Sequence, residues 1–166
     1  MSALLLVLAG CAGVPAHSPY AGQEDRAIKA LSQKEVTDLL DGAGMGYAKA
    51  AELNRYPGPS HVLELADALE LSAPQRTAIE EILRSHKAEA RKLGGDVVEL
   101  EQRLDALFAK ESPSAETVDA AVARLAAAGG LLRASHLKAH VATTKVLAPM
   151  QIDSYMELRG YGSHQH

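Results

Sequence analysis

His136 and His140 stand four residues apart in LLRASHLKAHVATT (131–144), a stretch that reads as helix, so their imidazoles share one face with nitrogens a few ångströms apart. Such a pair, joined by donors from a neighbouring element and a carboxylate or water, forms a site for Zn, Ni, Co or Cu. His86 is the candidate third ligand and Glu89 the candidate fourth. The residues themselves leave a second reading open, in which His86 and His136 fill an amphipathic seam and His140 is solvated. His61 could join if its segment folds back on the other three. The tail GSHQH adds His164 and His166, with weak opportunistic metal affinity at most. There is no glycine-rich phosphate loop, no usable cysteine nucleophile and no serine on a nucleophile elbow, so the chain is not expected to be an enzyme.

Convergence of these side chains depends on the elements that carry them. Of 166 residues 47% are apolar, with no Trp, one Phe and five Tyr, a composition suited to helices packed through small and aliphatic side chains. Ile79, Leu83, His86, Ala90, Leu93, Val97, Leu100, Leu104 and Leu107 alternate steps of four and three, a heptad seam. After a turn at KESPSAE (110–116) the pattern resumes at Val118, Val122, Leu125, Gly129, Leu132, His136, Ala139, Thr143 and Val146. Two long helices with so short a connection are antiparallel neighbours, so the expected fold is all-α and built on a long helical hairpin. Positions whose numbers sum to about 225 should then lie level, which sets His86 between His136 and His140, and Glu89 beside His136. The same rule sets Gly94-Gly95 opposite Gly129-Gly130. Each glycine costs about 1 kcal/mol against Ala in a helix, which predicts either close backbone approach or a shared bend, the bend being the expectation.

Shorter elements flank the hairpin. Ser32 and Glu35 form a capping box for a first short helix that DGAGMG (41–46) ends. A second should cover 47–54 until YPGPS breaks it, and a third, capped by Ser60, should run from His61 to Glu70. LSAPQ (71–75) opens the first long arm, Ser72 as N-cap and Gln75 reaching back to the Ser72 amide. Its near copy LAPMQ (147–151) opens a short C-terminal helix, with Pro149 at N1 but no cap oxygen on Ala148.

The first residues bear on compartment. LLLVLAGC is an apolar run too short to span a bilayer, and Leu8-Ala9-Gly10-Cys11 resembles a bacterial lipobox. The expected organisation is a signal peptide 1–10, lipidated Cys11 opening a flexible tether 11–31, a hairpin domain 32–162 and a disordered tail 163–166. Ala12 after the cysteine favours outer-membrane sorting, by resemblance to lipoproteins, and so a periplasmic domain anchored by lipid. A formal charge of −4 with interspersed signs provides no basic stripe, which argues against nucleic acid.

A Leu-Thr-x-x-Gln motif present twice around a helical hairpin marks the Spy/CpxP family of periplasmic chaperones and stress regulators. The chain resembles that family over about residues 20 to 162, with Ser72 and Ala148 in place of the motif threonines. CnrX-like nickel/cobalt sensors and ZraP-like zinc-responsive proteins are similar hairpins. The stretch GMGYAKAAELNRYPGPSHVLELADALEL and the later ELRGYG are similar to members described as heavy-metal sensors or Spy-like chaperones. The resemblance implies a curved homodimeric cradle whose concave face binds unfolded envelope proteins without ATP. It implies also, for the sensor branch, a ligand pair four residues apart on the second arm, matched by His136 and His140, and a membrane-bound regulator as partner. The paired N-terminal histidines of that branch are not matched, since Leu65 follows His61 at i+4. The expected function is client binding under envelope stress, with metal sensing or buffering as the alternative.

Overall fold

The computed structural model describes residues 18–110 and 112–161. The signal peptide 1–10, Cys11 and the tail 163–166 lie outside the described residues. Six helices follow one another: α1 (Gln33–Leu40), α2 (Lys49–Glu52), α3 (Pro59–Glu64), α4 (Ala73–Lys110), α5 (Ala115–Thr144) and α6 (Pro149–Leu158). Among the described residues there is no strand, and no helix is long and apolar enough to cross a membrane. α4 and α5 form the expected antiparallel hairpin, with α1 and α3 laid against α4.

Capping behaves as the sequence predicts. Ser32 accepts from the Glu35 amide at 3.2 Å while Glu35 accepts from the Ser32 amide at 2.8 Å, and Gln75 accepts from the Ser72 amide at 3.0 Å. In the second pentapeptide only half the box exists, Gln151 accepting from the Ala148 amide at 2.9 Å. Beyond capping, the two glutamines meet: Gln75 Nε2 donates to Gln151 Oε1 at 2.8 Å and to the Val146 carbonyl at 2.9 Å, and Gln151 Nε2 donates to the Leu69 carbonyl at 3.0 Å. The repeated motif is therefore a clasp that fastens the start of α6 to the start of α4.

Three expectations need correction, and of the two readings of the facing glycines close backbone approach falls. The stretch 18–31, expected as tether, already packs, because Ile28 is buried in the core and Leu31 lies against it. α3 begins at Pro59 with Gly58 as N-cap, not at His61 behind Ser60, since the fixed φ of proline suits the first helical position; residues 65–70 are turns. Val122 is 46% exposed and Ala128, not Gly129, is buried, because a 3.6-residue helix drifts out of a strict heptad seam. The facing glycines do not bring the two arms together: a Cβ on Gly95, Gly129 or Gly130 would meet nothing within 4 Å. Gly94 instead receives α1, whose Leu39 carbonyl oxygen would lie 2.0 Å from a Cβ there.

Two apolar clusters hold the frame. One joins Ile28, Leu39, Ala90, Val97, Val98, Ala128 and Leu132, and the other joins Val62, Leu69, Ile79, Leu147, Tyr155 and Met156 toward the open end of the hairpin. Along α4, His86 falls between Ile79 of one cluster and Ala90 of the other; on the return arm, His136 and His140 fall between Leu132 of α5 and Leu147 just beyond its end. Buried polar side chains, Glu52, Ser135, His136 and Thr143, are found in this intermediate layer. Such groups are costly to bury unless satisfied; Ser135 and Thr143 are hydrogen-bonded, whereas Glu52 Oε2 and His136 Nε2 have no partner among the described residues.

Candidate metal centre

The heptad brings His86 and His136 edge to face, ring centroids 4.5 Å apart, with His86 Nε2 3.1 Å from His136 Nδ1. Tyr47, from the segment between α1 and α2, stacks on His136 with ring centroids 5.4 Å apart. His136 is 4% exposed and its Nε2 is buried without a hydrogen-bond partner. Removal from water lowers its pKa to about 4, helped by the neighbouring His86, His140 and Lys87 charges. Burial also lowers the pKa of His86, with Lys87 reinforcing the shift and Glu89 opposing it. Both rings are thus neutral at pH 7, the form in which imidazole offers a lone pair.

His140, one turn further along α5, has its Nδ1 2.8 Å from the carbonyl oxygen of Tyr56. A carbonyl only accepts, so Nδ1 carries a proton, and in the neutral ring Nε2 keeps its lone pair. The chain reversal at Tyr56-Pro57-Gly58 positions that carbonyl, and Gly58 is glycine for want of room: a Cβ would stand 2.9 Å from His140 Cε1 and 3.0 Å from its Nε2. α3 folds back and delivers His61 to the same place. His61, His86, His136 and His140 line one cleft of about 200 Å³, with Gly58, Ser60 and Lys87 in its wall. The Lys87 ammonium is drawn to the C-terminal end of α1, donating to the Gly42 carbonyl at 3.0 Å.

A model of heavy-metal resistance proteins matches residues 42–154, a span that holds all four of these histidines and both pentapeptides. The chain belongs to the heavy-metal resistance family. This is the family of the doubled Leu-Thr-x-x-Gln motif, to which LSAPQ and LAPMQ pointed. No curated protein and no solved structure matches the chain significantly.

Within this heavy-metal resistance fold, the level match among His86, His136 and His140 holds to within a helical turn, but the roles differ from those expected. Glu89 does not face His136: its Oε2 accepts from the Ser135 hydroxyl at 2.7 Å. His86 turns both nitrogens to protein partners, Nδ1 to Ser135 Oγ at 3.2 Å and Nε2 to His136. These two therefore support the inner histidines and do not stand as ligands beside them. Among the described residues no three His, Cys, Asp or Glu side chains are arranged to hold an ion as they stand. The donor chemistry nonetheless fits a transition ion. Among the described residues, His136 and His140, at i and i+4, each have Nδ1 engaged by a hydrogen bond and Nε2 without one, that of His136 being buried, the arrangement outer partners impose on metal-binding imidazoles.

Glu52 is the residue that sequence reasoning missed. Only 8% exposed, it accepts from Tyr155 at 2.5 Å through Oε1, and its Oε2 is buried without a hydrogen-bond partner, 3.6 Å from His140 Nδ1. His61 Nδ1 lies 3.8 Å from Oε1. With His61, His140 and Met45 it lines a second hollow of about 220 Å³. Nothing in KAAELNRY distinguishes Glu52 from a solvated helix carboxylate, because the side chains that close on it, His61, His140, Tyr155 and Arg159, come from elements distant in sequence. Its carboxyl group lies beside two imidazoles and the Arg159 guanidinium, whose Nε is 3.9 Å from Oε1.

Proposed function

We propose that the chain binds a divalent transition ion, Zn, Ni, Co or Cu, through Nε2 of His136 and Nε2 of His140. His61 rotates in as a third donor, and Glu52 supplies compensating charge. The observation that carries this reading is the pair of α5 imidazoles whose Nδ1 atoms are occupied and whose Nε2 atoms are free, one of them buried with no partner. A borderline ion accepts such nitrogen donors, and its release of bound water on entry adds to affinity. The role is that of a sensor or buffer, not an enzyme. The lipobox-like Leu8–Cys11 supports an envelope location on a lipid anchor for that role, with a membrane regulator or a second copy of the chain as the proposed partner. Calorimetric titration with Zn and Ni tests the reading: micromolar or tighter binding lost in the His136→Ala/His140→Ala double variant is expected. Binding equal in wild type and variant would overturn it.

A client-binding role is the second reading. α5 favours it, because Leu131 and Val141 are 58% and 42% exposed on the side away from the seam, beside a shallow groove lined by Ala134, Leu137 and Ala142. Exposed apolar surface of that kind suits extended hydrophobic segments. Suppression of aggregation of a reduced client, indifferent to chelator and to His136→Ala, would favour it over metal binding.

A further inference from the structure

We propose that Glu89, Ser135 and His86 are positioning residues that fix, through one directed chain of hydrogen bonds, which ring nitrogen His136 offers to the cleft. The direction follows from donors and acceptors alone. A carboxylate only accepts, so at 2.7 Å the Ser135 hydroxyl gives its single proton to Glu89. Ser135 Oγ then has only lone pairs left for His86, and the 3.2 Å contact requires the proton to be on His86 Nδ1. A neutral His86 therefore presents a bare Nε2, and the 3.1 Å contact to His136 requires the proton to be on His136 Nδ1. The lone pair at His136 Nε2 is what remains, in the buried position that has no protein partner.

The reverse chain fails at its first link. A proton on His136 Nε2 would leave Nδ1 bare, place the His86 proton on Nε2 and oblige Ser135 to donate to His86. Glu89 would then face the lone pairs of Ser135 at 2.7 Å with no proton between them. It would also bury an N–H with no acceptor. An exposed carboxylate on α4 thus sets the state of a buried imidazole on α5 through two intervening side chains. The sequence carries this as Ser135 directly before His136 and Glu89 three residues after His86.

The effect on ion affinity rests on the metal reading above; the tautomer does not. Long-range proton–nitrogen spectra of the ¹⁵N-labelled, metal-free protein at about pH 7 should show His86 and His136 both protonated at Nδ1. Ser135→Ala cuts the relay, and a population of His136 protonated at Nε2 should appear, with Zn binding weakened roughly 10-fold or more. Ser135→Thr, which keeps the hydroxyl, should restore both. Glu89→Ala, at an exposed position, gives the same mixed population should Ser135→Ala not fold. A wild-type His136 protonated at Nε2, or a tautomer unchanged in both Ser135→Ala and Glu89→Ala, overturns the relay even if Zn binds. An Nδ1-protonated His136 that mixes in these variants supports the relay even if Zn does not bind the wild type, in which case the metal reading alone falls.

Discussion

At the scale of single residues, the site is governed by what each imidazole nitrogen already does. Gly58→Ala puts a methyl group against the Cε1–Nε2 edge of His140, and that ring can yield by turning away from the Tyr56 carbonyl. The expected result is a stability loss of only about 1 kcal/mol by chemical denaturation, with Zn affinity reduced at least tenfold. Equal affinity would show that His140 Nε2 does not ligate. Burial of His136 has a consequence for pH. Its folded pKa is about 4 against an ordinary 6.5, so between those values the unfolded chain binds the extra proton. Stability is therefore full above about pH 6.5 and is lost as the pH falls toward about 4, by up to about 3 kcal/mol; His86, lowered also by burial, adds in the same direction. Denaturation midpoints at pH 7 and pH 5 should differ markedly in the wild type and much less in His136→Ala.

At the scale of helices, the four glycines of the hairpin separate into one that packs and three that do not. Gly94→Ala would drive a methyl into the Leu39 carbonyl and push α1 from the hairpin, at a cost of about 3 kcal/mol. Gly129→Ala, on a helix with open space around the new Cβ, should stabilise by about 0.5–1 kcal/mol. Melting curves of the two variants displaced in opposite directions are the expected outcome, and a destabilised Gly129→Ala would mean that the glycine pair is needed as a bend. The hairpin, its caps and the level of the histidines were legible in the sequence, because they rest on local chemistry and on a heptad that runs through Ile79, Ala90 and Val97. The roles of Glu89 and His86 were not, because a level rule locates Cα atoms but does not choose between His136 and the adjacent Ser135 as a partner. Glu52 and the placement of His61 depend on how α2, α3 and α6 fold back, and turns after proline and glycine leave no periodic trace of where they lead.

At the scale of the whole molecule, two polar ties close the open end over the histidine layer: the clasp between Gln75 and Gln151, and the buried hydrogen bond from Tyr155 on α6 to Glu52 on α2. Replacing both glutamines by Ala, singly and together, should reveal a coupling of about 0.5–1.5 kcal/mol, and no coupling would reduce the repeated motif to two independent helix starts. Tyr155→Phe leaves Glu52 with neither oxygen bonded by a hydroxyl, which ties the stability of α6 to the charge beside His140. The proposed ion site draws on the Nε2 atoms of His136 and His140 and on the buried Glu52 carboxylate. The most direct test is a Zn titration of the ¹⁵N-labelled protein, read at the ring nitrogens one histidine at a time. The expected result is a stoichiometric change in the Nε2 signals of His136 and His140, with Nδ1 of both still protonated and His86 keeping its own Nδ1 proton. Changes confined to His164 and His166, with His136 and His140 unmoved, would contradict the account.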